Sequence, residues 1–120
     1  MLQKVNIAEK LGLFQDHWSP KIVGEVENCQ VKLVKFQGEF VWHSHADEDE
    51  MFLVVAGSFV MKLRDGDIHL GAGEFLIVPK GTEHMPVAEE EVHVLLFEPS
   101  TTLNTGNAVS DKSVTQLERI

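Results

Sequence analysis

Short runs of alternating or continuous apolar residues recur along the chain from Cys29 onward, with turn residues about every eight to twelve positions. Such runs predict β-strands, because successive side chains on a strand point to opposite faces. Short strands at this regular spacing predict an all-β sandwich or barrel. The predicted strands cover residues 30–36, 40–45, 50–55, 59–64, 68–70, 74–78 and 92–97.

The two ends of the chain have different patterns. Asn6 and Glu9 have the spacing of a helix capping box, and Gly12 follows where a short helix would end. After Pro99 the sequence is polar and weakly patterned, so this segment either packs along the barrel or is loosely ordered. We therefore predict an N-terminal helix and extension over residues 1–25, a barrel over 26–98 and a C-terminal extension over 99–120.

The residues that carry chemistry begin with His43 and His45. In an extended strand these two imidazoles would lie side by side on one face. Glu50 opens the next predicted strand after a short turn, so its carboxylate can return beside them. Imidazole and carboxylate ligands suit divalent first-row transition metals better than calcium or magnesium. A further imidazole is available downstream at His84.

These residues fall in two blocks that resemble the cupin pattern. The first block is matched by Gly38, His43, His45, Glu50 and Gly57, and the second by Gly73, Pro79, Gly81 and His84. The chain departs from the pattern at two positions. Gly38 lies one residue closer to His43 than usual, which shortens a turn, and Ala88 stands where the pattern has Asn, which removes a polar group but no metal ligand.

A small single-domain cupin, which the chain resembles, has a double-stranded β-helix, or jelly-roll barrel, with one metal near its centre. The resemblance implies that His43, His45, Glu50 and His84 hold one divalent transition metal per chain, which could be Fe, Mn, Ni, Co or Zn. Glu48 and Asp49 are close in sequence, but Glu50 has the expected spacing to Gly57 and begins a strand. We predict that His17, His69 and His93 bind no metal.

Two functions fit this pattern, because one fold supports many activities. The first is a small-molecule metalloenzyme, for example an oxygen-dependent dioxygenase, in which Glu83 or water activated by the metal would serve as the base. The second is a non-catalytic module that binds a small molecule through the metal. The expected cavity is apolar and lined by Val41, Phe52 and Val54, with Phe75 or Leu76 and Leu95 or Leu96.

Composition excludes several other classes of function. Nineteen Asp and Glu against ten Lys and Arg give a formal charge of -9, which disfavours nucleic acids and anionic membranes as partners. The single cysteine, Cys29, and the absence of a signal-like segment predict a cytoplasmic protein. Among the activities that the resemblance to cupins brings into question, an isomerase acting on sugar phosphates is disfavoured because the chain has two arginines, Arg64 and Arg119. The absence of Tyr argues against the sugar epimerases and the Cys–Tyr thiol dioxygenases of that family.

Two further expectations concern the surface. Met51, Leu53 and Val55 face away from Glu50 on the same predicted strand, so both strand faces are apolar and need cover. We therefore predict a homodimer that covers one sheet. The segment 83–91, with its three consecutive Glu residues, is expected to be a loop at the rim of the cavity.

Overall fold

The computed structural model describes residues 2–120, and within that range it contains one helix and seven strands. These are α1 (Ile7–Leu11), β1 (Lys21–Val26), β2 (Cys29–Glu39), β3 (Glu50–Ala56), β4 (Ser58–Leu63), β5 (Gly66–Gly71), β6 (Phe75–Val78) and β7 (His84–Pro99). The strands pair antiparallel in the order β1-β2-β7-β3-β6, and β4 pairs with both β5 and β7. The predicted all-β fold is confirmed.

The long strand β7 organises the sheet. Its first residues pair with β4, its later residues pair with β3, and β2 runs beside it along most of its length. The sheet therefore curls around one core. Inward side chains of six strands, β2 to β7, form most of this core, among them Val34, Phe36, Phe52, Met61 and Val94.

Helix α1 begins as its capping pattern predicts. The side chain of Asn6 accepts a hydrogen bond from the backbone N–H of Glu9 at 3.0 Å, and Gly12 follows the last helical residue. A helix of five residues depends on packing for its stability, and Leu11 joins Phe14 and Leu33 in a second buried cluster.

One strand prediction is wrong, and one strand was missed. Residues 40–45 do not form a regular strand, since only His43 pairs there, in an isolated bridge with His84. Strand β1 was not predicted, because Gly24 interrupts its short apolar run and Lys21 opens it with a charge. Lys21 is nevertheless buried, with its ammonium group 2.9 Å from Asp16 and 3.0 Å from Glu118.

The prediction of a loop over residues 83–91 is also wrong, because β7 already begins at His84. The register of β2 and β7 skips here, from Phe36 opposite Val92 to Gly38 opposite Ala88. The intervening residues Glu89–Glu91 form a bulge and are exposed, so water solvates their carboxylates although they lie in a strand.

The C-terminal extension packs along the barrel. Backbone hydrogen bonds join it to β1, from Ile22 N to the carbonyl of Glu118 at 2.8 Å and from Ile120 N to the carbonyl of Ile22 at 3.0 Å. Thr105 in its middle is fully buried. Of the two alternatives left open by the sequence, the packed one is therefore correct. Within residues 2–120 the structure has no helix long and apolar enough to cross a membrane.

Candidate metal centre

Four buried side chains converge inside the barrel. They are the predicted set: His43 and His45 from the irregular segment, Glu50 from the start of β3 and His84 from the start of β7. One nitrogen or oxygen atom from each lies within 4.8 Å of those of the other three. The structure therefore brings together every residue that the sequence proposed as a metal ligand.

Backbone hydrogen bonds set the positions of two of these histidines. His43 N donates to the carbonyl of His84 at 3.1 Å, and His84 N donates to the carbonyl of His43 at 2.9 Å. Each ring is then oriented by the carbonyl two residues earlier, because Nδ1 of His43 lies 2.8 Å from Val41 O and Nδ1 of His84 lies 2.8 Å from Thr82 O. A carbonyl can only accept, so Nδ1 carries the proton and Nε2 presents its lone pair.

Glu50 lies at the centre of the group. Its Oε1 is 2.9 Å from Nε2 of His45 and 3.1 Å from Nε2 of His84. The Nε2 of His45 is nevertheless buried without a well-directed hydrogen bond. A buried imidazole nitrogen left in this state beside a carboxylate and two more imidazoles fits a metal ligand, because buried polar atoms otherwise find partners. The four residues fit a divalent transition metal.

The electrostatics of the cluster keep its donor atoms available. Burial, reinforced by the neighbouring His84, lowers the pKa of His43 to about 4, so this ring is neutral at physiological pH. Burial alone would raise the pKa of Glu50. The neighbouring side chains of His45, His84 and Glu98 outweigh burial and hold that pKa below its ordinary value, so the carboxylate stays ionised.

The family follows from a match over more than half of the chain. Residues 31–98, which contain all four cluster residues, match the Cupin_2 family of cupin domains. The chain belongs to the cupin domain family. Among curated proteins, this cupin is 40% identical over 63 residues to the uncharacterized protein YdbB of Bacillus subtilis (strain 168), a match that covers 52% of this chain and 56% of the length of YdbB.

Solved structures show the same relationship. A cupin-2 domain protein from Shewanella frigidimarina is 48% identical, covers 79% of this cupin and 93% of its own chain, and superposes with a TM-score of 0.78. Protein NMB1881 from Neisseria meningitidis is 29% identical over 82% of this cupin and 100% of its own chain, with a TM-score of 0.75. KdgF from a Halomonas species is 30% identical over 67% and 78% of the two chains, with a TM-score of 0.59.

A cavity of about 30 Å³ adjoins the cluster in this cupin, and His43 and Glu50 form part of its wall. Most of the rest of the wall is apolar, including Trp18, Phe36, Phe40, Phe52 and Leu96. Phe52 and Leu96 were predicted to line it. Val41, Val54, Leu76 and Leu95 lie outside this wall, and Phe75 is 60% exposed on the outer surface.

Sequence reasoning missed the charged pair formed by Lys32 and Glu98. Lys32 Nζ lies 2.9 Å from Glu98 Oε1, and both side chains are almost completely buried beside the cluster. Burial and the adjacent Glu50 raise the pKa of Glu98 well above its ordinary value. The signal was present in the pattern, because Lys32 shares the inward face of β2 with Val34 and Phe36.

The remaining candidates lie away from the cavity wall. Glu83 is 54% exposed and pairs with Arg64 at 3.3 Å, and the guanidinium of Arg64 lies 3.8 Å from the Trp42 ring centroid. The role of Glu83 as a base stays a prediction. Asp49 accepts a hydrogen bond from Lys80 N, and Glu48 accepts one from the hydroxyl of Thr101. His17 and His93 both contact Glu91 at the surface.

Proposed function

We propose that this cupin is a small-molecule metalloenzyme with one divalent transition metal held by His43, His45, Glu50 and His84. The observation that carries the proposal is the buried convergence of three imidazoles on one carboxylate, with Nε2 of His45 left without a hydrogen bond. When bound, a metal of this kind polarises a substrate oxygen as a Lewis acid. Four protein ligands leave open positions if the metal is octahedral.

The cavity supports a small and largely apolar substrate. His43 and Glu50 belong both to the cluster and to the cavity wall, so a molecule in the cavity would contact the metal site directly. Trp18 stacks between Phe36 and Phe40, with ring centroids 4.5 Å and 4.7 Å apart, and these rings exclude water from that side. A carbonyl-bearing or hydroxyl-bearing molecule of a few heavy atoms fits this apolar cavity. An oxygen-dependent cleavage is one reaction that a metalloenzyme could perform on such a molecule.

A second function is supported by the same cluster. Four protein ligands complete the tetrahedral shell of zinc, which would leave no position for a substrate. In that case the protein would be a non-catalytic module in which the metal braces the barrel and the cavity holds a small molecule. The identity of the metal therefore separates the two proposals.

Elemental mass spectrometry of protein purified without an affinity tag tests both proposals. We expect about one iron, manganese, nickel or cobalt per chain, lost in His43→Ala and His84→Ala and retained in His69→Ala, whose ring lies outside the cluster. Dioxygen consumption should then be screened with small carbonyl and hydroxyl compounds. About one zinc per chain without turnover would favour the binding module. Protein that stays free of metal after reconstitution would contradict both.

We also infer that two copies pair through the outer face of β3 and β6. Phe75 and Ile77 of β6 are 60% and 55% exposed, and they lie opposite Leu53 and Met51 of β3 in the sheet register. β6 is an edge strand of the strand order, so this apolar strip is open along one side. A second copy presents the same strip and would cover it by twofold symmetry.

The cellular compartment and the partners of the protein are proposed from its composition. The single, half-buried Cys29 supports a reducing compartment such as the cytoplasm. The formal charge of -9 opposes binding to nucleic acids, so the expected partners are a small molecule and a second copy of the chain.

A further inference from the structure

One member of a buried charged pair, Glu98, forms part of the cavity wall, at a place that an apolar side chain could fill. Glu98 is 3% exposed, its Oε1 lies 2.9 Å from Lys32 Nζ, and Lys32 is 1% exposed. A buried ion pair is seldom more stabilising than apolar residues of the same size. Stability therefore gives no sufficient reason for this pair, and its place beside the metal centre suggests that it acts on a ligand.

One oxygen of the pair is uncommitted. Oε2 of Glu98 is buried and has no hydrogen-bonding partner among the described residues. Asn104, the other polar side chain of the wall outside the cluster, is fully used. Its amide nitrogen donates to the carbonyls of Trp18 and Lys112, and its amide oxygen accepts from Val114 N. Outside the metal cluster, Glu98 thus offers the free polar atom among the described residues of the wall.

We propose that Glu98 is a ligand-binding residue that holds a hydroxyl group of the substrate, with Lys32 as its positioning residue. This inference rests on the proposed function, because the same ligand would present a second oxygen to the metal site. A hydroxyl group suits the carboxyl of Glu98 with or without a proton, since a hydroxyl both donates and accepts. The ion pair with Lys32 engages Oε1 and fixes the carboxyl of Glu98, whose side chain forms part of the cavity wall.

The wall defines the rest of the ligand. Aromatic and aliphatic side chains, including Phe36, Phe52 and Leu96, surround the cavity, so the body of the ligand has few other polar groups. About 30 Å³ has room for roughly two water molecules, which limits the buried end to a few heavy atoms. The class is a small hydroxycarbonyl compound or related alcohol.

Two isosteric probes test this class. Hydroxyacetone and 2-butanone both carry a ketone and differ by a hydroxyl in place of a methyl group. Each would be titrated into Co(II)-loaded protein, with the visible Co(II) spectrum and the paramagnetic broadening of the probe's methyl protons as readouts. We expect hydroxyacetone to bind about tenfold more tightly, the effect of one hydrogen bond to a buried carboxyl group.

Variants show whether the preference for hydroxyacetone comes from Glu98 or from chelation of both its oxygens by the metal. The double variant K32M/E98L removes both charges together and should fold, and we expect the preference for hydroxyacetone to disappear in it. E98Q keeps a hydrogen-bonding group and should keep part of the preference. K35M is the matched control, because Lys35 is a buried lysine of the same strand whose Nζ donates to Phe14 O, away from the cavity.

The outcomes distinguish this inference from the proposed function. Protein that binds no Co(II) would overturn both. Protein that binds Co(II) but shows the same preference in wild type and K32M/E98L would overturn the role of Glu98 and leave the metal site intact. A preference that K35M abolishes equally would also contradict the assignment.

Discussion

Ser44 and Asn107 hold each other by two hydrogen bonds. Ser44 N donates to Oδ1 of Asn107 at 2.8 Å, and Asn107 N donates to the carbonyl of Ser44 at 3.1 Å. Ser44 lies between His43 and His45, in a segment whose only strand-like pairing is the bridge to His84. The C-terminal extension therefore fixes the backbone that presents two of the four cluster residues.

Gly106, next to Asn107, provides a test of this support. Its φ is +54°, and a Cβ added there would overlap the carbonyl oxygen of Ser44 and lie 3.1 Å from Nδ1 of His45. In Gly106→Ala we expect the metal affinity to fall about tenfold, as when outer-shell support is lost, and the Tm to fall by several degrees. Competition with a chelator and a thermal melt would measure these effects.

Gly38→Ala is the matched control for that variant. Gly38 also has a positive φ, +84°, but an added Cβ meets nothing within 4 Å. It should show the backbone penalty alone, about 1 kcal/mol, with an unchanged affinity for metal. Equal losses of metal affinity in the two variants would show that the contact with Ser44 and His45 does not support the site.

Removal of the metal should destabilise the wild-type protein. A ligand that binds only the folded state contributes about 3 kcal/mol when its free concentration is a hundredfold above Kd, which corresponds to about 10 °C in Tm for a domain of this size. We expect EDTA to lower the Tm of wild type by that amount and to leave the Tm of His84→Ala unchanged. A wild-type melt that EDTA does not move would argue against a bound metal.

The buried pair makes a separate prediction about stability. Lys32→Met leaves the Glu98 carboxyl buried without its cation and next to Glu50, so we expect a loss of about 3 to 5 kcal/mol in the free energy of unfolding. Replacing both residues, in K32M/E98L, should restore most of that loss, because no uncompensated charge remains. Urea denaturation of the two single variants and the double variant measures the coupling. Additive losses would show that the two residues do not act as a pair.

The sequence predicted the four cluster residues although one of its premises was wrong. Alternation along a strand was expected to place His43 and His45 side by side, yet their segment is irregular. The imidazoles converge because the backbone of His43 pairs with that of His84 and the C-terminal extension holds Ser44. The cupin-like spacing of the motifs predicted that these four residues come together. Strand periodicity alone could not predict it, because the convergence depends on tertiary contacts.

Residues contributed by the two extensions could not be predicted in the same way. Trp18 and Asn104 line the cavity, but each lies in a segment without a repeating apolar pattern. Their positions depend on hydrogen bonds between distant parts of the chain, such as that from Asn104 to the carbonyl of Trp18 at 3.3 Å. Lys32 and Glu98 were predictable in principle, because charged residues at inward strand positions indicate a functional or paired site.

The apolar strip on β3 and β6 makes the last prediction. Phe75→Glu places a charge at the centre of the strip, and two copies would bring these like charges together without solvent. We expect wild type to be a dimer at micromolar concentration in light scattering and Phe75→Glu to be a monomer with the same metal content. Val109→Glu is the control, because Val109 is fully exposed and lies in the C-terminal extension. A wild-type protein of monomeric mass would contradict the dimer. The apolar strip would then need another form of cover, because edge strands with exposed apolar side chains favour aggregation.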